Sequence, residues 1–92
     1  MEVENALYKL TKVLEAAVVG TPDPDWGERV NAVVVLKPGE SADAREIQEF
    51  CRVHMAGYKI PRNVYFVDSL PRNASGKLLK YEIRRQLSKP AN

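Results

Sequence analysis

The chain has 92 residues, of which 45% are hydrophobic and 28% are charged, and its formal net charge is +2. This length suits one domain with a single small core and leaves no room for a second domain. No apolar run approaches the roughly 20 residues that cross a membrane, and no secretory leader is visible. The single cysteine excludes an internal disulfide and fits a reducing compartment, so we expect a cytoplasmic protein.

The charged residues are unevenly divided along the chain. Residues 1–71 carry eight basic and eleven acidic side chains, whereas residues 72–92 carry six basic and one acidic. A basic end of this kind could meet nucleic acid, an acidic membrane or a small polyanion, although such runs are most often solvated helix faces. Composition alone leaves these alternatives open.

The first part of the chain predicts one helix and two strands. A short amphipathic helix should end near Thr11, because apolar side chains recur on one helical face at Val3, Ala6, Leu7 and Leu10. Residues 14–20 predict a strand, and residues 30–36 are nearly all apolar, which is typical of a strand buried on both faces. Residues 21–29 are predicted to form a nine-residue loop.

A second helix is predicted after this pair of strands. Ser41 or Asp43 can cap its beginning, and the helix should run to about Met55. Glu46 stands three residues after Asp43, so the two would complete a capping box.

A third strand is predicted at residues 64–68, and the last helix directly follows Lys77. Together these elements predict a small single α+β domain, in which helices pack on a three-stranded β-sheet. The first two strands can pair as a hairpin, and the third strand returns through a helical crossover. The strand order stays open.

Cys51 and His54 form a Cys-x-x-His pair that could suggest a metal site. A stable zinc site needs three or four ligands, and the chain has one cysteine and one histidine. Cys51 shares helical spacing with Ile47 and Phe50, so we expect it to pack in the core, with His54 at the edge of the same face. We therefore expect no metal site.

Asp23 and Asp25 flank Pro24 in the predicted loop. Turn formation explains aspartates in such a place better than metal or acid–base chemistry. Trp26 follows, and we expect it to anchor the loop on the core rather than to belong to a surface that meets a partner.

Lys77 ends a turn-forming segment between the third strand and the last helix. Gly76 removes the Cβ restriction just before it, and the long lysine stem adds reach. The N-terminus of a helix already carries partial positive charge, so a cation there is unfavourable unless a bound phosphate or carboxylate neutralises both charges. The alternative is one more solvated lysine on a basic helix. A P-loop does not fit, because proline stands at position 71 and leucine at position 78.

Three segments together resemble a known family. The segment 58–77, which begins with Tyr-Lys-Ile-Pro and ends in Pro-Arg-Asn-Ala-Ser-Gly-Lys, resembles the carboxy-terminal signature of the acyl-adenylate-forming superfamily. That superfamily contains acyl- and aryl-CoA synthetases, peptide-synthetase adenylation domains and firefly luciferase. Residues 18–28 resemble its Val-Val-Gly-x-Pro-Asp-x-x-x-Gly-Glu motif, and residues 2–4 resemble the end of its hinge motif. Asn73 departs from the family's usual threonine.

The resemblance implies that residues 1–92 are the C-terminal lid domain of an ATP-dependent, AMP-forming acyl-CoA ligase. The N-terminal adenylate-binding domain of that ligase, the expected partner, is absent from the sequence. Lys77 would be the adenylation lysine, with Ser75 and Gly76 in the phosphate loop. The parent enzyme would use ATP, Mg²⁺ and CoA to activate a fatty or aryl carboxylic acid. This chain alone would bind none of these and would be inactive.

In the family, the lysine contacts the carboxylate and the α-phosphate while acyl-AMP forms, and the domain then rotates to present another face to CoA. Arg52, Lys59 and Arg62 are candidate contacts for the CoA phosphates, although ordinary exposed cations explain them as well. One alternative is a lid whose acceptor is a carrier-protein thiol. The other is a basic nucleic-acid-binding module at residues 72–89, which would lose affinity steeply with salt. We expect no nucleic-acid partner.

Overall fold

The structure, a computed structural model, describes residues 2–25, 27–54 and 60–87. Within these ranges no helix is long and apolar enough to span a membrane. The described residues form three helices and three strands in the order α1 (Glu2–Tyr8), β1 (Val13–Asp23), β2 (Gly27–Leu36), α2 (Ala44–His54), β3 (Asn63–Phe66) and α3 (Lys80–Leu87).

The three strands form one mixed sheet in the order β1–β2–β3. β1 and β2 pair antiparallel as a hairpin. β3 pairs parallel with β2, so the segment that contains α2 is the crossover between them. The small α+β domain predicted from the sequence is confirmed, and so is the pairing of the first two strands.

Apolar side chains pack on both faces of the sheet, because alternate residues of a strand point to opposite sides. Residues 31–35 of β2 are all buried, which confirms the prediction of a strand covered on both faces. The first core joins the sheet to α1 and α2 through Val3, Leu7, Val13, Ala16, Val18, Ala32, Val34, Ile47 and Cys51. The second core joins it to α3 through Ala17, Val19, Val33, Val35, Leu70 and Ile83.

Side chains from two helices cover the outer edge of β1. The backbone N–H of Ala16 donates to the Tyr8 hydroxyl at 3.1 Å, and that of Val18 donates to a Glu4 carboxylate oxygen at 3.2 Å. From α3, Arg84 Nε donates to the carbonyl of Gly20 at 3.1 Å. An exposed strand edge can pair with a strand of another chain. Here the three contacts engage backbone groups along the outer edge of β1.

The predicted loop over residues 21–29 is wrong, because both strands of the hairpin continue into it. Pro22 pairs with Glu28, and Asp23 with Gly27. Proline is tolerated there because β1 is an edge strand. The residual turn is tight: the Asp25 N–H donates to Asp23 Oδ1 at 2.9 Å, and Gly27 has a φ of 78°. Trp26 lies outside the described residues, so its predicted anchoring role stays a prediction.

The first helix ends earlier than predicted, at Tyr8 rather than near Thr11. The N–H groups of Lys9 and Leu10 each bond to the carbonyl three residues before them, both at 3.1 Å, so the chain tightens into a turn. Leu10 still packs on the first core. Helical spacing therefore continues into a turn, which is why the sequence pattern overestimates the helix.

The beginning of α2 is capped by Asp43, one of the two predicted caps. The Glu46 N–H donates to Asp43 Oδ1 at 2.9 Å. The Glu46 carboxylate pairs instead with Lys12 Nζ at 3.0 Å, so only half of the predicted capping box forms. Met55, where this helix was predicted to end, lies outside the described residues.

The third strand and third helix are both displaced from their predicted positions. β3 occupies residues 63–66 rather than 64–68, although the Val67 N–H still donates to the Val34 carbonyl at 3.0 Å. α3 begins at Lys80 rather than directly after Lys77. The residues between β3 and α3 include the loop at residues 72–78, which is described next.

Candidate functional site

Residues 72–78 form a closed loop between the sheet and α3. Arg72 and Leu78 face each other in an isolated antiparallel bridge. The Leu79 N–H donates to the Pro71 carbonyl at 3.0 Å, and the Asn73 N–H donates to the Lys77 carbonyl at 3.0 Å. Leu70 and Leu78 pack with the second core, so both ends of the loop are fixed on the face that carries α3.

Asn73 organises the interior of this loop. Its side-chain Oδ1 accepts hydrogen bonds from the N–H groups of Ser75 at 2.9 Å and Lys77 at 3.0 Å. Its carbonyl accepts a third bond from the Gly76 N–H at 2.9 Å. Asparagine commonly closes turns in this way. Sequence reasoning treated Asn73 only as a departure from the usual threonine and missed its organising role.

Gly76 has a φ of 84°, in the left-handed region that side chains with a Cβ disfavour. Apart from Gly76 and its two chain neighbours, no atom lies within 4 Å of the place where a Cβ would stand, so the requirement for glycine is conformational rather than steric. The backbone N–H groups of Ser75 and Gly76 are used inside the loop. These two backbone donors are therefore not free to bind a phosphate. In the predicted phosphate loop, the exposed side chains of Ser75 and Lys77 are the groups that face outward.

Arg72 ties the loop to the sheet. Its guanidinium forms an ion pair with the Glu15 carboxylate of β1. Its Nη1 also donates to the carbonyl of Gly76 at 2.9 Å. Sequence reasoning missed this pair, because its two residues are separated by 57 positions.

Lys77 is exposed and lies within this loop. The prediction that it stands at the mouth of a helix is wrong, since α3 begins three residues later. The first position of α3 is held by Lys80, whose Nζ pairs with the Glu4 carboxylate at 2.9 Å. The loop, rather than the helix dipole, therefore places the ammonium of Lys77.

The other cations near Lys77 are engaged within the domain. Arg72 and Lys80 pair with carboxylates of β1 and α1, and Arg85 pairs with Glu82. Arg84 donates to a strand carbonyl. Across the described residues 72–87, Lys77 is the one basic residue with no side-chain nitrogen in contact with a carboxylate or carbonyl of the described chain. Its charge is thus available to an external anion.

A groove on a different part of the molecule brings together two of the predicted CoA contacts. Arg52 and Arg62 line a groove of about 340 Å³ with Gln48, Ile60 and Pro61. The Gln48 side-chain amide donates to the carbonyls of Pro61 at 3.1 Å and Arg62 at 3.3 Å, which fixes α2 against the entry to β3. Arg52 also pairs with Glu49 at 3.4 Å. Lys59, the third predicted contact, lies outside the described residues.

Cys51 and His54 do not form a joint site. Cys51 is fully buried in the first core, which confirms its predicted packing role. Burial raises the pKa of its thiol, so the thiolate that metals bind is disfavoured. His54 is exposed, its ring stacks on Phe50, and its Nδ1 lies 2.9 Å from the Phe50 carbonyl. In the described ranges, no three His, Cys, Asp or Glu side chains are grouped to hold a metal ion.

Asp23 has the structural role that its place beside a turn predicted. Its buried carboxylate contacts Arg29 Nη2 at 2.8 Å and Nε at 3.0 Å, and also accepts from the Asp25 N–H. The ion pair and turn bond close the end of the β1–β2 hairpin.

Comparison with known proteins gives consistent matches. Residues 2–77 match the AMP-binding enzyme C-terminal domain. A feruloyl-CoA synthase from an Amycolatopsis species is 49% identical over 85 residues, which cover 92% of this chain and 17% of that protein. The fatty acid–acyl-carrier-protein ligase ScoC of Streptomyces coeruleorubidus is 46% identical over 83 residues, covering 90% of this chain and 16% of that protein.

A solved structure shows the same fold. The fatty acyl-CoA synthetase of Mycobacterium tuberculosis superposes with a TM-score of 0.87 at 40% identity, covering 95% of this chain and 17% of the other. The chain thus spans only 16–18% of the length of the relatives it matches. The family resemblance predicted from its motifs is confirmed, and the chain belongs to the family of C-terminal domains of AMP-binding enzymes.

Proposed function

We propose that this chain is the lid domain of a larger ligase, which activates a carboxylic acid with ATP to acyl-AMP and transfers the acyl group to CoA. Lys77 supplies the cation for the first step. The observation that carries this proposal is the ordered loop around Lys77, whose backbone is held on both sides by Asn73 while its ammonium has no internal partner among the described residues.

The chemistry of the first step explains why such a cation is needed. Adenylation joins a carboxylate to the α-phosphate of ATP, and both groups are anionic. A preorganised ammonium between them offsets the charge that builds up in the transition state. Mg²⁺ would offset the charge of the departing pyrophosphate, and we assign its ligands to the nucleotide and the adenylate-binding domain, since the described residues here group no metal site.

The second step, thioester formation, fits another face of the same domain. Arg52 lies on α2, which packs on the first core, whereas the Lys77 loop is fixed to the second core. We assign Arg52 and Arg62 to the phosphates of CoA, with Lys59 as a further predicted contact. A domain that carries its two cationic sites on opposite sides of a sheet would have to rotate between the two half-reactions.

A carrier-protein thiol is the second candidate acceptor. It is favoured by the 46% identity to ScoC, a ligase whose name specifies an acyl-carrier protein. Both acceptors present a thiol on a phosphopantetheine arm, but free CoA also carries a 3′-phosphate. If CoA is the acceptor, Arg52→Ala and Arg62→Ala should raise the KM for CoA and leave acyl-AMP formation unchanged.

Exchange of pyrophosphate into ATP by the full-length enzyme that carries this chain tests the role of Lys77. Lys77→Ala should lower the exchange rate by about 10²–10³-fold, as removal of one well-placed transition-state donor does in other enzymes. Arg85→Ala is the matched control, since Arg85 is an exposed cation on α3 that pairs with Glu82. Equal and modest losses in both variants would contradict the proposal and favour a general electrostatic surface.

A further inference from the structure

We propose that Arg72 and Glu15 form a clamp that holds Lys77 in position for adenylation. Both are positioning residues rather than catalytic ones, because each acts through the loop and not on substrate. The proposal rests on the proposed function of Lys77 and adds the device that places it.

The clamp acts on the peptide group that directly precedes the lysine. Arg72 Nη1 donates to the carbonyl of Gly76 at 2.9 Å, and this carbonyl belongs to the peptide that joins Gly76 to Lys77. Gly76 occupies a left-handed conformation, in which glycine has wide freedom unless its neighbours restrain it. The arginine therefore restrains the most permissive backbone position of the loop.

Glu15 provides the fixed end of the clamp. It lies on β1 immediately before the buried run Ala16–Val19. The planar guanidinium can bond in two directions at once, so Arg72 connects this rigid strand to the Gly76 carbonyl. A lysine at position 72 has a single nitrogen and would hold both partners less well.

The clamp should matter more for geometry than for stability. The side chains of Arg72 and Glu15 are 39% and 28% exposed, and partly exposed ion pairs contribute little to folding. In contrast, a small displacement of a reacting group from its productive geometry can slow a reaction strongly. Loss of the clamp should therefore leave a folded domain with a poorly placed lysine.

The test uses the full-length enzyme that carries this chain, with variants Arg72→Gln, Arg72→Lys, Glu15→Gln and the double variant of Arg72→Gln with Glu15→Gln. Arg85→Gln is the matched control, because it removes an ion-paired arginine that does not touch the loop. Each enzyme is assayed for pyrophosphate exchange and for thioester formation from supplied acyl-AMP. Lys77→Ala is included as the reference.

We expect Arg72→Gln to lower the kcat of adenylation by about 10-fold, with the KM for ATP and the rate of thioester formation unchanged. Arg72→Lys should recover part of this loss. Glu15→Gln should cost less than Arg72→Gln, because the bond to Gly76 remains. The double variant should match Arg72→Gln alone, since the two residues act as one unit.

Three results would overturn the clamp: equal rates for Arg72→Gln and Arg85→Gln, parallel loss of both half-reactions, or no recovery in Arg72→Lys. If Lys77→Ala loses adenylation while Arg72→Gln does not, the clamp fails and the proposed function stands. If Lys77→Ala keeps full adenylation, both proposals fail. If Arg72→Gln does not fold, Glu15→Gln and Arg72→Lys still test the clamp. Adenylation rates equal to the wild type in both of these variants would contradict it.

Discussion

A single residue, Asn73, holds the backbone on both sides of Lys77 through its side chain and its own N–H. Asn73 Oδ1 accepts the N–H of Lys77, and the N–H of Asn73 donates to the Lys77 carbonyl. A long flexible side chain needs such support, because each rotatable bond adds freedom that the reaction must restrict. The loop fixes the position of the Lys77 backbone, and the flexible four-carbon side chain sets how far the ammonium can extend.

Substitution of Asn73 should separate the loop's geometry from its charge. Asn73→Ala removes the acceptor for two backbone N–H groups and should lower adenylation by about 10-fold. Asn73→Thr keeps a side-chain oxygen that can accept in a turn and should retain most activity. Pyrophosphate exchange by the two variants checks this, and equal loss in both would contradict an organising role for the side-chain oxygen.

At the scale of single residues, the local sequence pattern predicted Lys77 as a candidate site residue but did not predict which residues contact its loop. The order of strand, turn, glycine and lysine pointed to Lys77, whereas its clamp depends on Glu15, which is 57 positions away from Arg72. The helix was predicted to start too early because Leu79 fits helical spacing with Ile83 and Leu87. The backbone of Leu79 is in fact bonded to Pro71, and Leu78 bridges Arg72.

Among the secondary-structure elements, the β1–β2 hairpin is the one to which Arg72 connects the loop at residues 72–78. Its turn end is closed by Asp23, whose buried carboxylate contacts Arg29 and the Asp25 N–H. Prolines and aspartates at positions 22–25 predicted a loop, and tertiary pairing extended the strands through it instead. Propensity is a weak guide at a sheet edge, where a proline costs no ladder bond.

Asp23→Ala should lower the free energy of unfolding by about 2 kcal/mol, because the buried hydrogen bonds of a charged group are lost. Asp25→Ala is the matched control, since it changes an exposed aspartate of the same turn and should cost less than about 0.5 kcal/mol. Urea unfolding of the two variants measures the difference. Similar losses would mean that the Asp23 contacts do not stabilise the hairpin.

The pairing of β3 with β2 shows why strand order stayed open. Asn31 is buried within the otherwise apolar run 30–36 of β2, and its Oδ1 accepts a hydrogen bond from the Asn63 side chain at 3.0 Å. Its amide nitrogen donates to Thr21 Oγ1 at 3.0 Å on the other side. The partners of this buried amide come from both neighbouring strands, so no local pattern could identify them.

Taken as a whole, the domain pairs three of the five basic side chains in the described part of its basic end, residues 72–87, with carboxylates. Arg72, Lys80 and Arg85 pair with carboxylates, two of which belong to β1 and α1 near the other end of the sequence. The sequence predicted the charge imbalance but not its pairing, because pairing depends on how α3 packs against the hairpin. The excess charge that remains in the described part of this end is carried by side chains such as Lys77.

The chain alone should fold and yet be inactive. It has its own core on each face of the sheet, which favours independent folding. In our proposal the nucleotide and acyl pockets belong to the adenylate-binding domain. We therefore expect a cooperative unfolding transition and no pyrophosphate release from ATP and a carboxylic acid. Release above background by the purified chain would show that it carries an active site of its own.

The most direct test of the lid proposal compares the two half-reactions in Lys77→Ala of the full-length enzyme. Acyl-AMP formation should fall by about 10²–10³-fold, because the transition state loses a preorganised cation. Thioester formation from supplied acyl-AMP should stay at the wild-type rate, since the domain has by then turned the lysine away from the reacting atoms. Equal loss of both half-reactions would contradict a lid that serves them in two positions.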